Sequence, residues 1–149
     1  MPVNENGIGH GPQTAKKHET FRKLLDLHAE IYKNIYNLHF RNSSRWRPSP
    51  TYHYFDINAG DGDGSPSIAQ DILSKKFKSD IDYDCSFYEY NETNAQKLEE
   101  RFGCDPKCRV KAVSHDELTQ LQYPLKGDYG LVYHDPNGVK DSGDNKQLN

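Results

Sequence analysis

The chain has 149 residues, 34% of them apolar, and a mean hydropathy of −0.99. That allows one modest core and excludes two, because a typical domain is about 45–50% apolar with glycine counted. No stretch nears the roughly 18–20 apolar residues of a membrane span and no hydrophobic signal region opens the chain, so a cytoplasmic protein with no membrane contact is expected.

Three cysteines, an odd number, argue against a disulfide framework. The net charge of −3 divides into +4 over residues 1–53 and −7 over residues 54–149. With a pI near 6.1 the whole chain makes no general case for nucleic-acid binding.

Residues 1–19 read as a flexible arm, the first thirteen carrying three glycines and two prolines without periodicity. From residue 20 to about 40, Phe21, Leu24, Leu25, His28, Ile31, Tyr32, Ile35, Tyr36 and Phe40 fall at helical spacing and predict a long amphipathic helix. Two prolines and several serines then make residues 41–50 a linker. Beyond it the pattern alternates strand and helix, the signature of an α/β domain with a mainly parallel sheet.

Strands are predicted at residues 52–57, 85–90, 109–113 and 129–133. Helices are predicted at about 66–77, started by a capping Ser65 and by Pro66, at 92–102 between an Asn91 cap and a Gly103 stop, and at 116–121. Residues 51–138 therefore form a partial Rossmann-like domain of about four strands, and residues 139–149 a polar tail.

The stretch that carries chemistry is Asp56-Ile57-Asn58-Ala59-Gly60-Asp61-Gly62-Asp63-Gly64-Ser65-Pro66. A strand ending in a carboxylate, then alternate glycines, then a helix N-terminus lets a ligand approach bare backbone while amides and the helix dipole face it. The spacing is G-x-G-x-G rather than the dinucleotide G-x-G-x-x-G, and three aspartates would repel a pyrophosphate. They suit a cationic ligand, and S-adenosylmethionine offers a sulfonium and an ammonium.

Glu89, at the end of the second strand, reads alone as either a helix-capping or surface acid or an acceptor for ribose hydroxyls, and its pairing with the loop after Asp56 points to the second. Asp116, just past the third strand, is within reach of an adenine amino group, although Ser114-His115-Asp116-Glu117 reads equally as a helix cap. The fourth strand ends in His134-Asp135-Pro136-Asn137-Gly138, where an acid and a proline turn could hold an amino group in line with a methyl donor. Arg45, Trp46 and Arg47 in the linker pair guanidinium with an aromatic face, a combination that suits nucleic acid as well as plain solvation. Cys104 and Cys108 form a C-x3-C pair without a second pair, so reduced thiols rather than a metal site are expected.

Together, Tyr54 through Gly62, the helix start Gly64-Ser65-Pro66-Ser67-Ile68-Ala69, the strand Phe87-Tyr88-Glu89-Tyr90-Asn91 and the closing Asp135-Pro136-Asn137-Gly138 resemble class I S-adenosylmethionine-dependent methyltransferases. Within these they are most similar to the three-Cys-motif partner proteins carried by bacteria and phages, which implies a phage or mobile-element setting. The resemblance spans roughly residues 14–138. It implies S-adenosylmethionine as cofactor, held by Asp56, Asn58, Gly60, Gly62, Glu89 and Asp116, with Asp135 and Pro136 near the acceptor and Lys16, Lys17 and His18 ahead of the N-terminal helix.

The chain departs from that family at Asn58, where an apolar residue is usual, and at Asp61, where proline is usual; it also reaches only the fourth strand. Two functions follow as expectations. One is a methyltransferase-like protein acting on a nucleobase amino group; the other is a non-catalytic module working through a protein partner. In either case the fourth strand should leave a sheet edge for a partner protein or a second copy to cover.

Overall fold

The computed structural model describes residues 12–41, 49–121 and 128–135. Its elements run α1 (Pro12–His39), β1 (Tyr52–Ile57), α2 (Ser65–Phe77), β2 (Tyr83–Glu89), α3 (Glu92–Phe102), β3 (Cys108–Ala112), α4 (His115–Leu118) and β4 (Tyr129–His134). The four strands form one all-parallel sheet in the order β3-β2-β1-β4. This is the α/β, Rossmann-like arrangement with an N-terminal helix that the alternating pattern predicts. No helix among the described residues is long and apolar enough to cross a membrane.

The strand order sets the geography of the molecule. Starting at β1, the chain steps outward through β2 to β3, then jumps back across to β4 on the other side. The direction of winding therefore reverses between β1 and β4, and such a reversal opens a crevice at the carboxyl ends of the two strands.

One face of the sheet, bearing Tyr52, Tyr54, Cys85 and Phe87, packs against Phe21, Leu25, Tyr32 and Tyr36 of α1, Ile72, Leu73 and Phe77 of α2, and Leu98 and Phe102 of α3. Phe55, Ile57 and Tyr88 form a smaller cluster with Val113, Leu118 and Leu121. They alternate with the first set along the strands, so they lie on the opposite face.

Aromatic rings make up for the scarcity of aliphatic residues. Tyr52 packs 5.2 Å from both Tyr32 and Phe77, and Tyr32 lies 5.2 Å from Tyr129. Such pairs add about 0.5–1.5 kcal/mol each beyond their burial. A buried phenol needs a hydrogen-bond partner, and each central tyrosine has one: Tyr52 meets His28 Nδ1 at 2.7 Å, Tyr32 donates to the Pro50 carbonyl at 3.3 Å, and Tyr54 donates to Asp56 at 2.6 Å.

Several boundaries differ from the sequence reading. Helix α1 begins at Pro12, so residues 12–19 are helix rather than arm. Proline at a first helical position sacrifices no bonded amide, and the alanine and lysines that follow are good helix formers. Ser65 is not the cap of α2: Gly64 holds that position without a side-chain bond, and Ser65 is already helical beside Pro66. Strand β2 starts two residues earlier than predicted, at Tyr83, and ends at Glu89, leaving Tyr90 outside.

Strand β3 spans Cys108–Ala112 and α4 is a single turn at His115–Leu118, both shifted toward the N-terminus. Asn91 caps α3 as read, accepting from the Asn94 amide at 3.0 Å. Gly103 ends α3 in right-handed geometry; a Cβ there would collide with Glu99.

Candidate functional site

The loop between β1 and α2 lies at the carboxyl end of the sheet, and its conformation explains its composition. Asn58, Gly60 and Gly62 take φ of 62°, 75° and 97°, a region that L-residues other than asparagine and aspartate rarely enter. At Gly62 a side chain is excluded twice, because a Cβ would also sit 2.9 Å from the buried ring of Phe102. The loop is pinned by Ser67, whose hydroxyl donates to the Gly62 carbonyl at 2.5 Å, and by the Ala59 amide donating to the Tyr88 carbonyl at 3.0 Å.

Glu89 ties this loop to the neighbouring strand. One carboxylate oxygen accepts from the Gly60 amide at 2.8 Å and the other from the Asn91 amide at 3.0 Å. The residue is only 3% exposed, and burial raises its pKa against the opposing pull of those backbone donors. The Asn94 side chain and the Tyr90 backbone also stabilise the charged form, so protein donors surround the carboxylate.

Asp56 is completely buried at the end of β1. One oxygen accepts the Tyr54 hydroxyl, whereas Oδ1 has no hydrogen-bond partner among the described residues. Burial pushes its pKa up to about 7; the Ser65 and Tyr54 hydroxyls oppose the rise, and the charges of Asp135 and Glu89 add to it. A buried carboxylate oxygen without a donor is costly, and the raised pKa eases that cost by letting the group hold a proton.

Helix α1 closes the crevice from the other side. Lys17 Nζ meets Asp135 Oδ1 at 2.7 Å, joining the first turns of α1 to the end of β4. His18 stands over Gly64, where a Cβ would lie 2.9 Å from its Nε2, so the α2 cap is glycine because the imidazole occupies that space. Asn58 Nδ2 approaches His134 Nε2 at 3.4 Å, linking the β1 loop to β4.

The crevice thus gathers Asp56, Asn58, Gly60, Gly62 and Glu89 around one loop, with Asp135 across from them on β4. Asp116 is apart: it lies exposed in the first turn of α4, where Ser114 and Glu117 form a reciprocal capping box, and among the described residues its side chain bonds to no other site residue. Pro136, Arg45, Trp46 and Arg47 lie outside the described residues.

Sequence reasoning passed over Tyr54 as a site residue, although its two-residue offset from Asp56 puts both on one face of β1. It placed Lys17 and His18 ahead of the helix, whereas both are helical and reach into the site. No family model, curated protein or solved structure matches the chain.

Proposed function

We propose that the chain is an S-adenosylmethionine-binding, methyltransferase-like protein that acts on an amino group of a nucleobase. The observation that carries this reading is Asp56, a wholly buried carboxylate with one oxygen unpartnered among the described residues, at the point where the sheet reverses direction. Such an oxygen calls for a cationic donor, and an α-ammonium supplies one. Three aspartates around the loop argue against a pyrophosphate and for a ligand of positive charge.

When bound, S-adenosylmethionine would supply a methyl group activated by the sulfonium. The protein's own part is positioning. Asp56 would hold the ammonium, Glu89 would share its carboxylate with ribose hydroxyls, and the side-chain-free Gly60 and Gly62 would let the ligand lie against backbone. Asp135, paired with Lys17, would align the acceptor's amino group. A base in duplex DNA would have to leave the stack to reach this crevice.

Calorimetric titration with S-adenosylmethionine and with its demethylated product tests the reading. Wild type is expected to bind both, Asp56→Ala and Glu89→Ala to lose binding while keeping a wild-type circular dichroism spectrum. Absence of heat from folded wild type at high ligand concentration would falsify it. A second reading, a non-catalytic module acting through a protein partner, is favoured by the outer edge of β4, which no described strand pairs.

A further inference from the structure

We infer that the β4 edge and the outer stripe of α1 together form a two-fold interface with a second copy of this chain. Strand β4 ends the sheet, so its outward amides and carbonyls have no strand partner among the described residues. Two hollows lie along that edge, one lined by Thr20, Leu24 and Tyr133 beside Lys16 and Lys17, the other by Ile31, Ile35 and Tyr129. Leu24, Leu27 and Ile31 are 50%, 58% and 49% exposed and Tyr129 is 40% exposed, whereas Val132, equally exposed, alternates to the opposite face of the sheet. An open parallel edge flanked by half-exposed leucines and isoleucine is an association surface.

Its geometry selects the occupant. Phe21 packs 4.1 Å from Tyr133 and Tyr32 packs 5.2 Å from Tyr129, so α1 runs antiparallel to β4 with its midpoint near Leu27. The same rings also touch β1, through Tyr54 and Tyr52, which seats α1 over the seam between β1 and β4. Strands pair about 4.8 Å apart, so a helix over that seam lies about 2.4 Å inside β4, while a two-fold axis between paired β4 strands lies about 2.4 Å outside it. The two α1 helices then stand about 9.6 Å apart, within the roughly 8–10 Å of packed helices.

Strand pairing and helix packing are therefore satisfied by one symmetry operation, and the stripe is self-complementary about it. With the axis near Leu27, Leu24 meets Ile31 of the other copy and Leu27 meets its counterpart. From Gln13 to Leu38, α1 is about 40 Å long and about 10 Å across; the six-residue β4 edge beneath adds about 20 Å by about 5 Å, so the face is on the order of 500 Å² per copy. That lies just below the roughly 600–1,000 Å² per partner of stable interfaces, so the dimer is expected to exchange with its monomers at low concentration.

Sedimentation equilibrium of the full chain tests this. Wild type is expected at twice 17.1 kDa and Leu27→Arg at 17.1 kDa with an unchanged circular dichroism spectrum, since Leu27 is exposed and its replacement sets like charges across the axis. In a Cys104→Ser background, Leu27→Cys should cross-link to a covalent dimer under diamide. Leu38→Cys should not, because its two copies would stand about 30 Å apart along antiparallel helices. Wild type at 17.1 kDa at every concentration overturns the proposal, as does a dimer that persists in Leu27→Arg. A monomer that gains mass only on adding an apolar β-strand peptide would likewise overturn it, by assigning the edge to a different occupant.

Discussion

Asp56 shows how a single residue can be retained at the expense of stability. Its carboxyl has a pKa near 7 in the fold against 3.8 when free, so the folded chain holds the proton more tightly than the unfolded chain. Stability is therefore lost as pH rises from 3.8 through 7, and above that the penalty is on the order of 4 kcal/mol. Asp56→Asn keeps an acceptor for Tyr54 and removes the charge. The variant should have a higher urea midpoint than wild type at about pH 8, with a smaller gain at about pH 5, and should have lost ligand binding; an equal or lower midpoint at the higher pH would refute this account. The carboxylate and its glycines were legible as a site in the linear pattern. The unpartnered oxygen was not, because it depends on which donors the packed helices bring within reach.

Among the elements, the β1–α2 loop is the most constrained. Gly62 combines a φ of 97° with a Cβ position 2.9 Å from Phe102, a ring only 1% exposed that has no room to retreat. Gly62→Ala should destabilise by roughly 1–3 kcal/mol, read as a fall in melting temperature of roughly 2–4 °C per kcal/mol. An unchanged melting temperature would mean that the loop relaxes freely. Element types were legible because the apolar period changes from that of a helix to that of a strand after the linker. Starts were less so: the prolines and glycines near Pro12 signal a turn as strongly as they signal a first helical turn, and the cap of α2 is not Ser65 but Gly64, where His18, far away in sequence, leaves no room for a Cβ.

For the whole molecule, the relevant contacts join residues that sequence proximity could not pair. His53 on β1 bridges Asp84 on β2 at 2.8 Å and Asp128, just before β4, at 2.9 Å, while Arg109 of β3 lies 3.9 Å from Asp84. Burial alone would lower the His53 pKa, but the two carboxylates win and raise it. A raised histidine contributes stability in full below its unfolded value of 6.5 and loses it as pH climbs through the folded value. Asp56 and Glu89 act in the same direction; His28, lowered by burial, opposes them as pH falls below 6.5. The large shift at Asp56 decides the sign, so wild type should be more resistant to urea at about pH 5.5 than at about pH 8.5. His53→Gln should show a smaller difference between the two conditions, and an identical difference would remove His53 from the explanation. Strand alternation made the sheet legible, but not the register that sets Asp84 and Asp128 on either side of His53.

The Lys17–Asp135 pair spans 118 positions of the chain. A protein made from its N-terminus outward thus has the loop, Glu89 and Asp56 in place long before the residue that locks α1 across them. The crevice is assembled last, and closing so long a loop costs only slightly more than closing one half its length. A nascent chain would remain unlatched until β4 had joined the sheet, so a formed Lys17–Asp135 latch is itself a report that the strands have been laid in order.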